Sequence, residues 1–361
     1  MSVVASFQIE YLQYLDADGR LVRDDLPAFA RDVKQLVNLY KEMLLIRVFD
    51  TKAIALQRTG KLGTYAPCLG HEAAYLAIGS AMKPEDCFAP SYREYGAQVH
   101  RGVKMREILM YWGGDERGND FQDAPKHDFA WSVPIATQCL HAAGSALAFK
   151  VRKEARVAVC TVGDGGSSKA DFNSAINVAG AMTLPLVAII VNNGWAISVP
   201  RSAQTGAKTL AQKGIAAGLE CIQVDGNDLI AMRSAMDIAM KRARSGEGGT
   251  VIEAVTYRLS DHTTADDARR YRDDAEVKSA WEREPLRRMK TYLHSLNAWT
   301  EEEETAWKEQ CGKYVDVEVN AYLESRSQPV EAMFDYVYAE LPADLVEQRA
   351  EALAIEQRSK H

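Results

Sequence analysis

The central part of the chain alternates short apolar runs with helical stretches, and this alternation limits the folds available to it. The apolar runs are 156–162, 184–191, 221–224 and 250–257, and the stretches with helical spacing are 138–150, 170–181 and 228–244. Strands separated by helices of this length form right-handed βαβ units. The pattern therefore predicts an α/β fold with a mostly parallel sheet and helices on both faces.

Helices are expected on either side of this region. Apolar residues recur three or four apart in the first 60 residues, and Gly60 is a plausible helix stop. After about residue 273 the sequence becomes helical and charged. We expect an N-terminal helical segment over 1–60, an α/β domain over 61–272 and a C-terminal helical segment over 273–361 that packs on the same domain and on partner chains.

Composition and charge exclude several classes of protein. The 361 residues carry 43 Lys+Arg against 50 Asp+Glu, a net charge of −7, which argues against a nucleic-acid binder. The longest strongly apolar stretch, 184–191, is far shorter than the ~20 residues of a membrane-spanning helix. No Lys or Arg precedes Arg20, which is atypical of targeting peptides, so we expect a cytoplasmic protein. The six scattered cysteines indicate small buried apolar residues rather than a zinc or disulfide site.

A glycine-rich turn, 163–168, lies directly after one predicted strand and directly before a helix. Glycines let the backbone approach a phosphate, and the following helix N-terminus favours the phosphate charge. A dinucleotide fingerprint would need Gly or Ala where Ser168 stands, and a P-loop would need a Gly-Lys-Ser/Thr sequence that the chain does not contain. Neither NAD nor ATP is therefore the expected ligand.

The next predicted strand ends in Asn192-Asn193-Gly194, and Asn193 lies 29 residues after Asp164. Parallel strands of a βαβ unit end on the same edge of the sheet, so Asp164 and Asn193 can face one another there. A carboxylate, an amide oxygen and a nearby backbone carbonyl suit Mg²⁺. The alternative is two unrelated turns.

Four segments carry a resemblance to a known family: 60–73, 89–96, 163–200 and 257–272. They closely resemble the alpha subunit of the E1 component of 2-oxo acid dehydrogenase complexes, and the resemblance extends from about residue 30 to beyond 340. It implies the diphosphate-binding half of a thiamine diphosphate-binding fold. The implied cofactors are thiamine diphosphate and Mg²⁺.

Carried over by position, the resemblance makes the side chains of Asp164 and Asn193 ligands of Mg²⁺. The carbonyl of Trp195 would be a third ligand; family members usually have Tyr here, and a backbone ligand tolerates Trp. Gly165 and Gly166 would offer backbone contacts to the diphosphate.

The resemblance also implies contacts from three other parts of the chain. Tyr92 and Arg93 would reach the diphosphate, for which a planar guanidinium is well suited. Val133 and Ile135 would contact the aminopyrimidine through backbone groups, with an ordinary core position for Ile135 as an equal alternative.

His262 is the expected catalytic residue, able to donate to a diphosphate or intermediate oxygen and to exchange protons near neutral pH. Arg258 would anchor the strand end or assist with the phosphate. The loop after His262 would become ordered and help present the lipoyl group, although a merely solvated charged loop is equally compatible with the sequence. Its residues with an expected ordering or docking role are Asp266, Asp267, Tyr271 and Arg272.

The resemblance further implies partners and a substrate. The glutamate that activates the aminopyrimidine would come from a separate E1 beta subunit in an α₂β₂ heterotetramer, docked on the lipoyl domain and core of an E2 acyltransferase. The reaction would be decarboxylation of a 2-oxo acid and reductive acylation of the lipoyl group. Segments 60–73 and 203–228 are similar to pyruvate-specific members, and 192–200 is also similar to branched-chain members. Less favoured alternatives are an acetoin dehydrogenase alpha subunit and a non-catalytic cofactor-binding subunit.

Overall fold

A six-stranded sheet forms the centre of the protein. The computed structural model describes residues 1–121, 127–131 and 133–359. The sheet has the order β1-β7-β8-β4-β3-β2 and all its neighbouring strands are parallel, while β5 and β6 form a separate antiparallel ribbon. The strands are β1 (Glu10–Leu12), β2 (Cys87–Ala89), β3 (Ala158–Gly163), β4 (Leu186–Asn192), β5 (Trp195–Ala196), β6 (Val199–Pro200), β7 (Glu220–Asp225) and β8 (Thr250–Val255).

Helices cover the sheet, as the sequence predicts. The shorter ones are α1 (Ala28–Arg31), α4 (Tyr95–His100), α8 (Arg201–Gln204), α9 (Gln212–Ala216) and α14 (Ala332–Asp335). The longer ones are α2 (Val33–Arg58), α3 (Glu72–Ala81), α5 (Met105–Trp112), α6 (Thr137–Arg152), α7 (Ala170–Ala181), α10 (Leu229–Arg244), α11 (Asp274–Trp281), α12 (Pro285–Ser295), α13 (Glu301–Leu323) and α15 (Ala343–Ser359). Three single turns of 3₁₀-helix occupy Glu116–Asn119, Gly166–Ser168 and Ala268–Arg270.

Alternate residues of the central strands face opposite layers of the core. In β4, Val187 and Ile189 pack in the core that includes α2, α3 and α10. Their neighbours Ala188 and Ile190 pack in a second core with α6 and α7. A strand buried on both faces needs a continuous apolar sequence, which explains why 184–191 shows no alternation with polar residues. Among the described residues, no helix is long and apolar enough to cross a membrane.

The N-terminal segment departs from the expected all-helical structure. Glu10–Leu12 form β1, which pairs in parallel with β7 at the edge of the sheet. Gln13 then donates to the Asp225 carboxylate (Nε2–Oδ2 2.8 Å). A three-residue strand has too little periodicity to be recognised in a sequence, because partners more than 200 residues away specify it.

Candidate active site

Four strands of the sheet direct their carboxyl ends at one cavity of about 620 Å³. This volume is typical of a site for a small ligand or cofactor. Loops after β2, β3, β4 and β8 contribute to its wall, and the segment before α6 closes one side. The predicted residues that line the cavity are Tyr92, Arg93, Val133, Ile135, Asp164, Gly165, Gly166, Asn193, Trp195 and His262.

Asp164 and Asn193 are brought to the same edge by strand pairing. The register pairs Gly163 of β3 with Val191 of β4, so the chain leaves both strands at nearly the same level. Asn193 lines the cavity, whereas the side chain of Asn192 is turned to Glu253 (Nδ2–Oε1 2.7 Å). Asp164 is 2% exposed, and burial raises the pKa of its carboxyl. One carboxylate and one amide therefore reach the cavity, as the spacing predicts.

The glycines beside Asp164 are required by close packing. A Cβ atom at Gly165 would clash with the side chain of Ala196, and one at Gly166 would lie 2.5 Å from Cγ2 of Val162. Both residues have no room for a side chain. The loop consequently presents backbone toward the cavity, and the 3₁₀ turn and α7 follow directly.

The Trp195 side chain packs away from the glycine loop. Its indole lies against Tyr271, with ring centroids 5.5 Å apart, and its Nε1 is 3.4 Å from Oε1 of Glu276. Any metal ligand from this residue would thus be the backbone carbonyl, which Trp supplies as well as Tyr does.

Arg93 and Arg258 both point at His262. Arg93 Nη2 lies 3.3 Å from Nδ1 of His262 and 2.9 Å from its carbonyl oxygen, and Arg258 Nη1 lies 3.4 Å from the same Nδ1. Guanidinium groups can only donate, so Nδ1 is the acceptor and Nε2 carries the proton. Tyr92 packs edge-on to the imidazole, with centroids 6.3 Å apart.

The charge state of His262 differs from the sequence-based expectation. Burial lowers the pKa of His262 to about 3, and the guanidiniums of Arg93 and Arg258 contribute to the lowering. The imidazole is therefore neutral and a hydrogen-bond donor through Nε2 around pH 7. Proton exchange near neutral pH, as expected from a free histidine, requires an anion that offsets the two guanidiniums.

Arg258 anchors other groups and is not among the residues that line the cavity. Its side chain is fully buried and donates to the carbonyl of Ile197 (2.9 Å) and the hydroxyl of Tyr271 (2.8 Å). The structure thus favours the anchoring role over the predicted phosphate contact.

The loop after His262 is held by local contacts. Asp266 accepts from the backbone N–H of His262 (2.9 Å) and from the hydroxyl of Tyr271, and Arg272 donates to the carbonyl of Arg258 (2.5 Å). Asp267, in contrast, forms an exposed pair with Arg269. Asp266, Tyr271 and Arg272 therefore help to order the loop, whereas Asp267 does not.

Val133 and Ile135 form an apolar wall that is partly open to solvent. Their exposed fractions are 50% and 39%, so Ile135 is not a core residue. Gln138, at the start of α6, ties this wall to β3 by donating to the carbonyl of Thr161 (2.7 Å).

Two polar residues at or beside the cavity were not singled out from the sequence, and Glu94 is the one that lines the cavity. Glu94 is 2% exposed, and burial raises the pKa of its carboxyl. Gln204 donates to Asp164 (Nε2–Oδ2 2.8 Å) from the short helix α8. The buried position of Glu94 depends on tertiary packing, and Gln204 lies 40 residues after Asp164, beyond the Asp164–Asn193 spacing that indicated the site.

Comparison with known proteins identifies the family. A family model described as dehydrogenase E1 component matches residues 40–331, most of the chain. The chain belongs to this family. Members of the E1 dehydrogenase family depend on thiamine diphosphate, and they are 2-oxo acid dehydrogenase enzymes.

Curated relatives match over nearly their full length. The chain is 39% identical over 343 residues to "Pyruvate dehydrogenase E1 component subunit alpha" of Acholeplasma laidlawii, covering 93% of this chain and 97% of the relative. Proteins of the same name from Staphylococcus epidermidis and Staphylococcus aureus are 39% and 38% identical over 342 residues, covering 94% of this chain and 92% of each relative. The E1 resemblance inferred from the four sequence segments is thereby confirmed.

Proposed function

We propose that this E1 chain is the alpha subunit of a pyruvate dehydrogenase complex. It would act in the decarboxylation of pyruvate and the reductive acetylation of the lipoyl group of E2. The observation that carries the proposal is the convergence of Asp164, Asn193, Arg93 and His262 on one cavity at the carboxyl edge of the sheet. The full-length similarity to relatives with this name supports the choice of pyruvate.

The cavity fits Mg²⁺ and a diphosphate. Asp164, Asn193 and the Trp195 carbonyl are hard oxygen donors, which Mg²⁺ prefers. Gly165 and Gly166 line the cavity and can offer only backbone to a diphosphate, because side chains there would clash with Ala196 and Val162. We assign the metal to these oxygens and the diphosphate to the glycine loop and Arg93.

The chain's own groups would orient the reactants. Thiamine diphosphate supplies the nucleophile and the electron sink for decarboxylation when it is bound. Arg93 would neutralise diphosphate charge, and the Nε2–H of His262 would donate to an anionic oxygen. Val133 and Ile135 would exclude water from the aminopyrimidine side.

The apolar rim of the cavity supports a second chain over the active site. Val133, Ile135 and Ile197 are between 39% and 56% exposed, unusually open for apolar residues that line a cofactor cavity. We propose that an E1 beta subunit covers this rim, that the assembly is α₂β₂, and that it docks on the lipoyl domain and core of E2.

Reconstitution tests this proposal. The purified chain alone should decarboxylate little or no pyruvate, and addition of the beta subunit, Mg²⁺ and thiamine diphosphate should restore turnover. Full activity of the chain by itself would contradict the shared active site. Faster turnover of 3-methyl-2-oxobutanoate than of pyruvate by the reconstituted complex would overturn the substrate assignment.

A further inference from the structure

Gln204 connects the two loops that carry the proposed metal ligands. Its amide Nε2 lies 2.8 Å from Oδ2 of Asp164, after β3, and 3.1 Å from the carbonyl oxygen of Val199, in the ribbon after β4. A Cβ atom at Gly165 would lie 3.5 Å from its Oε1, so the side chain also lies alongside the glycine loop. One amide group thus fixes the carboxylate relative to the backbone that carries Asn193 and Trp195.

The position of Gln204 is itself fixed. Arg201 begins α8 and its backbone N–H donates to the carbonyl of Gly194 (2.8 Å). The guanidinium of Arg201 donates to the carbonyls of Ala207 and Lys208, which follow the helix in the chain. The four-residue helix therefore cannot move away from the ribbon without losing contacts at both ends.

We infer that Gln204 is a positioning residue for the metal site. By holding Oδ2 of Asp164, the amide fixes the orientation in which the carboxylate is presented to a divalent cation. Partners that orient a metal-binding carboxylate typically contribute a 10–100-fold difference in metal affinity. Gln204 does not bind the cation, so the reaction proceeds normally once the site is filled.

This inference rests on the proposed Mg²⁺ and thiamine diphosphate site, and the experiment separates the two. Isothermal titration calorimetry of thiamine diphosphate into the α₂β₂ complex at a series of Mg²⁺ concentrations gives the Mg²⁺ concentration for half-maximal binding. Absence of Mg²⁺-dependent binding by the wild-type complex would refute the proposed site itself. The Gln204 variants test the inference only against a wild type that binds.

Two variants isolate the amide donor. Gln204→Ala removes the side chain, and Gln204→Met keeps its length but cannot donate. Both should raise the half-maximal Mg²⁺ concentration about 10–100-fold, with kcat close to wild type at saturating Mg²⁺ and thiamine diphosphate. Gln212→Ala is the matched control, because Gln212 is an exposed glutamine eight residues further along the chain whose Oε1 accepts from the N–H of Thr209 (3.1 Å).

The result that overturns the inference is an unchanged Mg²⁺ requirement in Gln204→Met. A lowered kcat at saturating cofactors with an unchanged Mg²⁺ requirement overturns it as well, since it would place Gln204 in the reaction rather than in the metal site. An equal rise of the half-maximal Mg²⁺ concentration in Gln212→Ala and in the Gln204 variants would also overturn the inference, because the effect would then not depend on the contact with Asp164.

Discussion

Arginines are buried in both halves of the carboxyl edge of the sheet, the half beyond β7 and the half beyond β2 and β8 that lines the cavity. The guanidinium charge has different partners in the two halves. Beyond β7, Arg288 Nη1 lies 2.5 Å from Oδ2 of Asp225, and both residues are buried. Beyond β2 and β8, Arg93 and Arg258 donate to carbonyl oxygens, the Tyr271 hydroxyl and His262. Across the described part of the chain, neither of these two forms an ion pair with a carboxylate.

The difference separates a structural pair from a binding site. A buried ion pair satisfies both of its charges, and removal of one partner leaves the other uncompensated. A buried guanidinium with neutral partners retains a positive charge that an anion can neutralise. The half of the edge that lines the cavity is therefore suited to binding an anion, and the half beyond β7 holds β1 and α12 against the sheet.

The largest effect is expected on stability, from breaking the buried ion pair beyond β7. Asp225→Ala should destabilise the purified chain by about 3–5 kcal/mol, because it leaves Arg288 buried without a counter-charge. Urea unfolding at pH 7 measures the change. Asp267→Ala, which breaks the exposed pair with Arg269, is the control and should leave the free energy of unfolding nearly unchanged, because water screens this pair. Similar small losses in both variants would remove the contrast between the two halves.

Substitutions in the half of the edge that lines the cavity should lower activity rather than stability. Arg93→Met should lower pyruvate turnover by the reconstituted complex about 10²–10³-fold, the usual loss when one donor is removed from a preorganised anion site. The same variant should cost the cofactor-free chain much less stability than Asp225→Ala does, since it removes hydrogen bonds to the carbonyls of Pro67 and His262 but leaves no carboxylate of the described residues without its ion-pair partner. Thermal unfolding without cofactor and turnover with it are the two measurements. A marked loss of stability would show that Arg93 is a structural residue.

The half of the edge that lines the cavity should also make the free energy of unfolding depend on pH, through His71. Burial, followed by the charge of Arg93, lowers the pKa of His71 to about 3, below its ordinary 6.5. The unfolded chain therefore binds more protons between these values, and stability from this residue is lost as pH falls below 6.5. Asp50 and Asp228 act in the opposite sense, because burial raises their pKa to about 6.

A histidine variant isolates this contribution from the opposing carboxyls. Between pH 6.5 and 5, His71→Gln should lose less stability than wild type, by at most about 2 kcal/mol. Urea unfolding of both proteins at the two pH values gives the difference. The His71 assignment fails if the two proteins lose stability in parallel.

The smallest effect is expected from the hydrogen bonds of the Tyr271 hydroxyl. Tyr271→Phe removes the hydroxyl between Arg258 and Asp266. Loss of the hydroxyl should weaken the ordering of the loop by about 0.5–1.5 kcal/mol, the usual net value of one hydrogen bond. We expect to measure this as an approximately two- to tenfold rise in the KM for pyruvate. Tyr314→Phe, at an exposed tyrosine of α13, is the control and should match wild type. Equal KM values in all three proteins would show that the loop is ordered without Tyr271.

The sheet and the meeting of Asp164 and Asn193 at one edge of it could be predicted from the sequence because their signals are local. Residues 184–191 are continuously apolar, as expected for a strand buried on both faces, and Asp164 and Asn193 each follow such a strand directly. Strand β1 and Gln204 could not be predicted in this way. Their partners, Ile222 and Asp164, lie far away in sequence and only the fold brings them together.

The fold class and the residues at the carboxyl edge follow from the sequence alone, because apolar patterns and turn residues act over a few positions, and the motifs of four segments indicate the family. What those side chains can do depends on the tertiary structure. It paired Asp225 with Arg288, it gave Arg93 and Arg258 no ion pair with any carboxylate that the structure describes, and it made His262 neutral. Burial and through-space charge set these properties, and both depend on residues that meet only after the strands have assembled.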